Sequence, residues 1–192
     1  MNIVGAGAAG AASAGEISRP KEKRLKTVFS KTAEVAAVWA AQDRAEARTS
    51  SNTWFRGDTL YSYGTPIARI IRAVDHRPAV ALVSSKSWSS GTSKVQGEAA
   101  SAAFRLGIAV YRVPRLGVAH DDVSENLGHF QRRIAEAVAS IGKAVRLDTA
   151  RSHRAEALRL IGVAHVFSTD MGWLFRWVGE NPLTVRNAKE DF

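Results

Sequence analysis

Trp54-Phe55-Arg56-Gly57-Asp58-Thr59-Leu60-Tyr61-Ser62-Tyr63-Gly64 reads as a tight β-hairpin, and that reading decides the fold. Residues 53–56 and 59–63 are rich in Thr and aromatics, the composition of strands. Gly57-Asp58 joins them with glycine first, as a type II′ hairpin turn requires. Along the second strand Thr59, Tyr61 and Tyr63 share one face, and Leu60 and Ser62 share the other. The tyrosine face is the expected core face, because aromatic side chains dominate the cores of small sheets.

Upstream, residues 32–48 follow a helical pattern. Val35, Val38, Trp39 and Gln42 recur at three-four spacing. Glu34 in the first turn and Arg44 and Arg48 late in the helix suit its dipole. Thr49-Ser50-Ser51-Asn52 then breaks it. Downstream, 67–71 and 79–84 read as a third and fourth strand, with His76-Arg77-Pro78 in their connection. Strands this close in sequence suggest an antiparallel meander.

The remainder alternates loop, helix and strand. Residues 84–94 form a polar loop in which Thr92 or Ser93 is placed to cap a helix running to Arg105 and closed by Gly107. Residues 108–113 give a fifth strand, ended by Pro114. The clearest helix spans 122–146: Val123, Leu127, Phe130, Ile134, Val138, Ile141 and Val145 step by three or four throughout. Asp122 with Glu125 fits a capping-box variant. Ser152 is expected to cap a shorter helix closed by Gly162, 163–167 to form a last strand, and Asp170 to cap a short helix carrying Trp173, Leu174 and Trp177. The expected architecture is α+β: a small antiparallel meander of about four to five strands, covered on one face by helices, with a long C-terminal amphipathic helix. The domain is expected over 27–180, between tails at 1–26 and 181–192.

Composition narrows the functional classes. The chain has 192 residues, 45% hydrophobic and 23% charged, as a folded single domain should. It contains no cysteine, which excludes disulfides, thiolate catalysis and cysteine metal sites. The formal charge of +9 favours polyanionic partners, nucleic acid first; the plainer reading is a basic but inert surface. No apolar stretch approaches a membrane span, and no basic segment precedes an apolar run as in a signal peptide, so a cytoplasmic protein without membrane contact is expected. Ile3-Val4-Gly5-Ala6-Gly7-Ala8-Ala9-Gly10 matches the dinucleotide pattern G-x-G-x-x-G. It lacks the flanking strand, the bulky helix and the later acidic residue that the pattern needs, and it reads as a tail.

The best candidate site is Ser84-Ser85-Lys86-Ser87-Trp88-Ser89-Ser90-Gly91-Thr92-Ser93-Lys94. Hydroxyls and two lysines precede a helix N-terminus, whose free N–H groups attract anions. Lys86, Ser93 and Lys94 could meet phosphates, and Trp88 could stack on a base. The plainer reading has the serines capping the helix and Trp88 packed on the sheet. Arg132 and Arg133 on the long helix, with Lys143 and Arg146 further along, form a second candidate basic surface, although Glu125 and Glu136 interleave. The five histidines show no ligand spacing, and H-E-x-x-H, an EF-hand loop and G-x-S-x-G are all absent. No metal, no cofactor and no catalytic constellation is expected.

Trp39-Ala40-x-Gln42, Ala47-Arg48, Phe55-x-Gly57-Asp58-Thr59-Leu60-Tyr61-Ser62-Tyr63-Gly64 and Pro66-Ile67-Ala68, followed by a strand and Thr92-Ser93-Lys94, resemble the pattern of an uncharacterised domain family of phages, plasmids and other mobile elements. The resemblance covers about residues 33–105. Family members often carry a longer, His-containing insertion after Ser-Tyr-Gly, whereas here Gly64 runs directly into Thr65-Pro66. The resemblance implies a mobile-element origin and a shared fold, and no reaction. Three functions remain open: a small basic accessory protein binding nucleic acid mainly through phosphates, a factor engaging a host protein such as a defence-system component, or, third in order, an enzyme whose site is assembled from distant residues. The long helix is the candidate surface for a homodimer.

Overall fold

The computed structural model describes residues 26–72 and 79–180, with the backbone alone over 173–180. The expected tails at 1–26 and 181–192, the Gly5–Gly10 motif and His76-Arg77-Pro78 thus lie outside the described residues, apart from Lys26.

The hairpin forms as its turn chemistry requires. Strand β3 (Thr53–Arg56) pairs antiparallel with β4 (Thr59–Ser62), Arg56 opposite Thr59. Gly57 takes the positive φ, +56°, at the first turn position. A Cβ there would meet nothing within 4 Å. Gly57→Ala is therefore opposed by backbone strain alone and is expected to cost about 1–2 kcal/mol. The expected readout is a lower urea midpoint with an unchanged m-value.

Around the hairpin the sheet grows to seven strands, in sequence order, not the four to five expected. Strand β1 (Val28–Phe29) is parallel to β2 (Glu46–Thr49), with helix α1 (Thr32–Ala41) between them in sequence. Strands β2, β3, β4, β5 (Thr65–Ile71) and β6 (Val80–Ser84) form the antiparallel meander. Helix α2 (Ser90–Arg105) then crosses over to β7 (Ala109–Val113), parallel to β6. The class is α+β as expected, but the sheet is mixed, because both of its ends close through a helical crossover.

The expected helix over 32–48 stops early. Gln42 turns left-handed, with φ +51°, and its N–H and side-chain amide take up the carbonyl of Trp39. The chain re-enters the sheet at β2, where Ala47 and Thr49 are buried and Glu46 and Arg48 point out. In the first turn the Glu34 carboxylate accepts from the Lys31 amide, which holds its pKa below the ordinary value.

Two cores lie on opposite faces of the sheet, so helices cover both faces and not one. Ala81 and Val83 of β6 pack in the first core, and their alternate neighbours Val80 and Leu82 in the second. Helices α1 and α2 pack side by side on the first, through Val35, Ala36, Trp39 and Ala40 against Ala99, Ala102 and Ala103. The second core is built by a helical hairpin, α3 (His120–Lys143) and α4 (Leu147–Glu180), through Val123, Phe130, Phe167 and Met171 against Tyr111 and Val113. The α3 cap is Ala119 with no side-chain bond, so Asp122 does not cap it. Its carboxylate lies against Gly117, where a Cβ would meet it, while Asn126 holds the approach loop by bonding both the N–H and the carbonyl of Arg115.

Helix α4 is unbroken. The expected Ser152-capped helix, the strand at 163–167 and the Asp170-capped helix are one element. Ala157, Leu160, Phe167 and Met171 are its buried stripe, with Val163 and Ala164 half-buried beside them, and Gly162 faces solvent. The α3–α4 pair is far longer than the strands it covers, about 36 Å for α3 against about 17 Å for a five-residue strand. Its distal half projects as an arm held by Ile134, Ala137, Ala157 and Leu160.

The Tyr111 hydroxyl donates to Asp170 Oδ2 at 2.7 Å and ties β7 to α4. Burial, aided by that hydrogen bond, pushes the phenol above its ordinary value of 10.0. The folded state then holds the proton more tightly than the unfolded one. This contribution is complete below about pH 10 and is lost as pH rises beyond it. Tyr111→Phe is expected to cost about 1–2 kcal/mol at neutral pH and to flatten the alkaline limb of stability, measured by urea unfolding from pH 7 to 11.

Candidate functional site

The block around the hairpin divides by strand phase into an inward and an outward half. The inward half is structural. Phe55 and Leu60, directly opposite each other, are buried under α1 and α2. Trp39 Nε1 donates to the Asp58 carbonyl at 2.8 Å, and Gln42 Nε2 donates to the Gly57 carbonyl at 3.2 Å, so the end of α1 is clamped to the hairpin turn. Asp58 accepts from Thr59 Oγ1 and from Arg69 Nε, at 2.6 and 2.9 Å. Ser62 is buried, 3.3 Å from Thr92 of α2.

The outward half forms an open face. Beyond β6 the second face of the sheet carries Arg48, Trp54, Arg56, Tyr61 and Arg69 in place of an apolar core. Register aligns them in rows: Arg48 is opposite Trp54, Trp54 opposite Tyr61, and Tyr61 opposite Pro66. Trp54 and Tyr61 stack with ring centroids 4.0 Å apart and planes within 9°. Glu46, Arg56, Thr59 and Arg69 make the adjacent row. Arg69 is engaged by Asp58, whereas the exposed guanidinium groups of Arg48 and Arg56 have no partner among the described residues.

A groove of about 800 Å³ runs along this face over β1, β2 and β3. Its walls include Arg48, Ser50, Asn52, Trp54, Arg56 and Tyr63. Trp54 borders the groove and Tyr61 does not, so the groove lies on the side of the indole away from its stacking partner. Tyr63 and Gly64 join β4 to β5 with φ +53° and +78°. Two left-handed positions in succession suit Asn-Gly, and a tyrosine there is strained. Its side chain is 68% exposed at the groove, so core packing does not account for its presence.

The expectation that Tyr61 and Tyr63 are buried is thus corrected. Tyr61 is half-buried beneath Trp54, and Tyr63 is exposed, because α1 and α2 dock on the Leu60 face.

The residues singled out from sequence are not brought together. In the Ser/Lys loop the cap is Ser89, whose Oγ accepts from the Thr92 amide, and neither Thr92 nor Ser93 serves. Thr92 instead lies between Ser62 and Ser89 in a chain of hydroxyls, and Gln96 Nε2 donates to the carbonyls of Ser84 and Lys86. The loop is pinned by these bonds, and Lys86, Trp88, Ser93 and Lys94 remain exposed around it; Trp88 does not pack down on the sheet. Arg132, Arg133 and Lys143 belong to α3, with Arg146 just beyond it, across the sheet from α2. Arg133 is committed to Glu156 at 3.1 Å, as is Arg159 at 2.7 Å, and Arg159 above all holds that carboxyl below its ordinary pKa.

Among the described residues no group of His, Asp and Glu is placed to hold a metal, and no helix is long and apolar enough to cross a membrane. No family model matches the chain, and neither a curated protein nor a solved structure does.

Proposed function

We propose that the chain is a small, non-catalytic nucleic-acid-binding protein, an accessory factor of a phage or other mobile element, and that it binds on the open face of β2–β5. The observation carrying this reading is the cross-strand row Arg48–Trp54–Tyr61 beside a groove lined by Arg56, Asn52 and Tyr63. Unpaired guanidinium groups supply phosphate contacts. Aromatic rings left open on a sheet supply stacking surface. The net charge of +9 adds long-range attraction for such a partner. Helix α2, whose N-terminus carries the exposed lysines, packs on the opposite face of the sheet; α3 packs on the same face as the site but over β6 and β7, and its Arg133 is paired with Glu156. Fluorescence anisotropy with labelled DNA and RNA at low and moderate salt tests it. Binding that weakens with salt is expected; no binding at low salt overturns it.

A second reading, a factor that engages a host protein such as a defence component or a second copy of itself, is favoured by the arm. Val138, Leu158, Ile161 and Val166 are exposed apolar residues of α3 and α4. Light scattering across a concentration range, with Leu158→Glu/Ile161→Glu as control, tests self-association. A monomer at all concentrations removes the homodimer form of this reading.

A further inference from the structure

We infer that the ligand of the open sheet face is single-stranded, with one base stacked on the free side of Trp54, its flanking phosphates held by Arg48 and Arg56, and a second base on Tyr63. This rests on the nucleic-acid reading above and deepens it.

Four features of the face point to a single strand. The first is the disposition of charge about the indole. Arg48 is the cross-strand neighbour of Trp54, and Arg56 lies two residues further along β3 on the same side. At the spacing of strands and residues in a sheet, both guanidinium groups are rooted within about 5–7 Å of Trp54. A base on the indole therefore brings its own backbone phosphates to two cations with no competing partner among the described residues.

The second is the geometry of the groove. About 800 Å³ accommodates a nucleotide or two, within the ordinary range for small-ligand clefts. A duplex keeps its bases stacked inside and presents grooves that are read by a helix or a two-stranded ribbon. It cannot place a base on an indole set in a sheet unless that base is first flipped out.

The third is the wall chemistry. Ser50, Ser51 and Asn52 offer donors and acceptors to base edges or sugar, and Glu46 offers a carboxylate. A pure phosphate trap has no use for that carboxylate, whereas an exposed base edge carries N–H donors that a carboxylate accepts from, the amino groups of adenine, guanine and cytosine or the ring N3–H of thymine.

The fourth is Tyr63. An aromatic residue held at φ +53° and left exposed is a strained placement that the fold does not need. Tyr63 lines the same groove as Trp54, which gives the strain a use.

The test uses the full chain and a fluorescein-labelled twelve-nucleotide oligothymidylate, compared with a duplex of the same length at 50 mM salt. The single strand is expected to bind at least tenfold more tightly than the duplex. Trp54→Ala is expected to weaken single-strand binding about 5- to 100-fold, and Trp54→Phe far less, as loss of one stacked base predicts. Tyr63→Asn places a favoured residue in the turn, so it is expected to raise the urea midpoint while weakening binding severalfold. A merely structural Tyr63 would not separate those two readouts. Equal affinity for duplex, or unchanged affinity in both Trp54→Ala and Tyr63→Asn, overturns the inference and leaves nucleic-acid binding standing. No binding of either oligonucleotide overturns the underlying reading, and the inference with it.

Discussion

Trp39→Ala is expected to lower the unfolding free energy by about 3–5 kcal/mol, as for other buried tryptophans and phenylalanines cut to alanine. Trp39 is fully buried and sits where α1 meets the sheet. Its ring fills the first core, and its Nε1 is the only side-chain donor described to the Asp58 carbonyl. That carbonyl also accepts from the Ile70 amide at 2.9 Å, so it keeps one bond after the change, and most of the loss is cavity and apolar contact. Trp39→Phe separates the parts: it keeps most of the ring volume and loses the donor, with an expected cost of about 1–2 kcal/mol. For a domain whose total stability is about 5–15 kcal/mol, the alanine variant approaches the limit of folding. Urea unfolding followed by far-UV circular dichroism measures both. A Trp39→Ala cost below about 1.5 kcal/mol would show that the clamp between α1 and the hairpin turn is not a principal support of the fold.

The clamp also explains which parts of this architecture were legible in the sequence. The β3–β4 hairpin was, because Gly57-Asp58 carries its own turn chemistry and the flanking strands alternate. Strands β5, β6 and β7 and helices α2 and α3 were, because period and turn residues agree. Strand β2 was not: Glu46-Ala47-Arg48 are good helix formers, and only the left-handed Gln42 and the partners waiting on β1 and β3 draw them into the sheet. Helix α4 is masked in the sequence because Gly162 followed by Val163 and Val166 imitates a helix end and a strand. The stripe Ala157-Leu160-Ala164-Phe167-Met171 spans that apparent break, and packing on Phe130 and Tyr111 decides the matter.

The site was hidden for a different reason. The alternation in β3 and β4 says that Trp54, Arg56 and Tyr61 share a face, but not which face is covered. That choice belongs to the docking of α1 and α2, a tertiary fact. Once register is set, Arg48, Arg56 and Arg69 all share the phase of Trp54 and Tyr61, and a face carrying three arginines is costly to bury. The tendency of aromatic side chains to fill small cores yields here to the cost of burying the arginines beside them.

Those arginines carry the second large effect. Arg48→Ala/Arg56→Ala is expected to weaken single-strand binding by about 3 kcal/mol or more at low salt, roughly 150-fold, since two charge-assisted contacts are lost together. It is also expected to reduce the slope of log affinity against log salt by about 1.4, at about 0.7 per phosphate contact for single strands. Wild-type and variant curves should therefore converge as salt rises, a behaviour that a folding defect does not produce. Both side chains are exposed and unpaired among the described residues, so little loss of stability accompanies the change. Arg132→Ala/Lys143→Ala on α3 is the matched control: α3 packs over β6 and β7, beside the open face, so the change removes two charges and leaves the residues of β2–β5 intact. Its slope should stay within error of wild type. If the slope falls in the α3 variant and holds in the β2–β3 variant, the phosphates lie on the helical arm, and the sheet face is not the interface. The comparison has force because the two pairs change net charge equally; any difference between them reports where the charge stood, and not how much of it was removed.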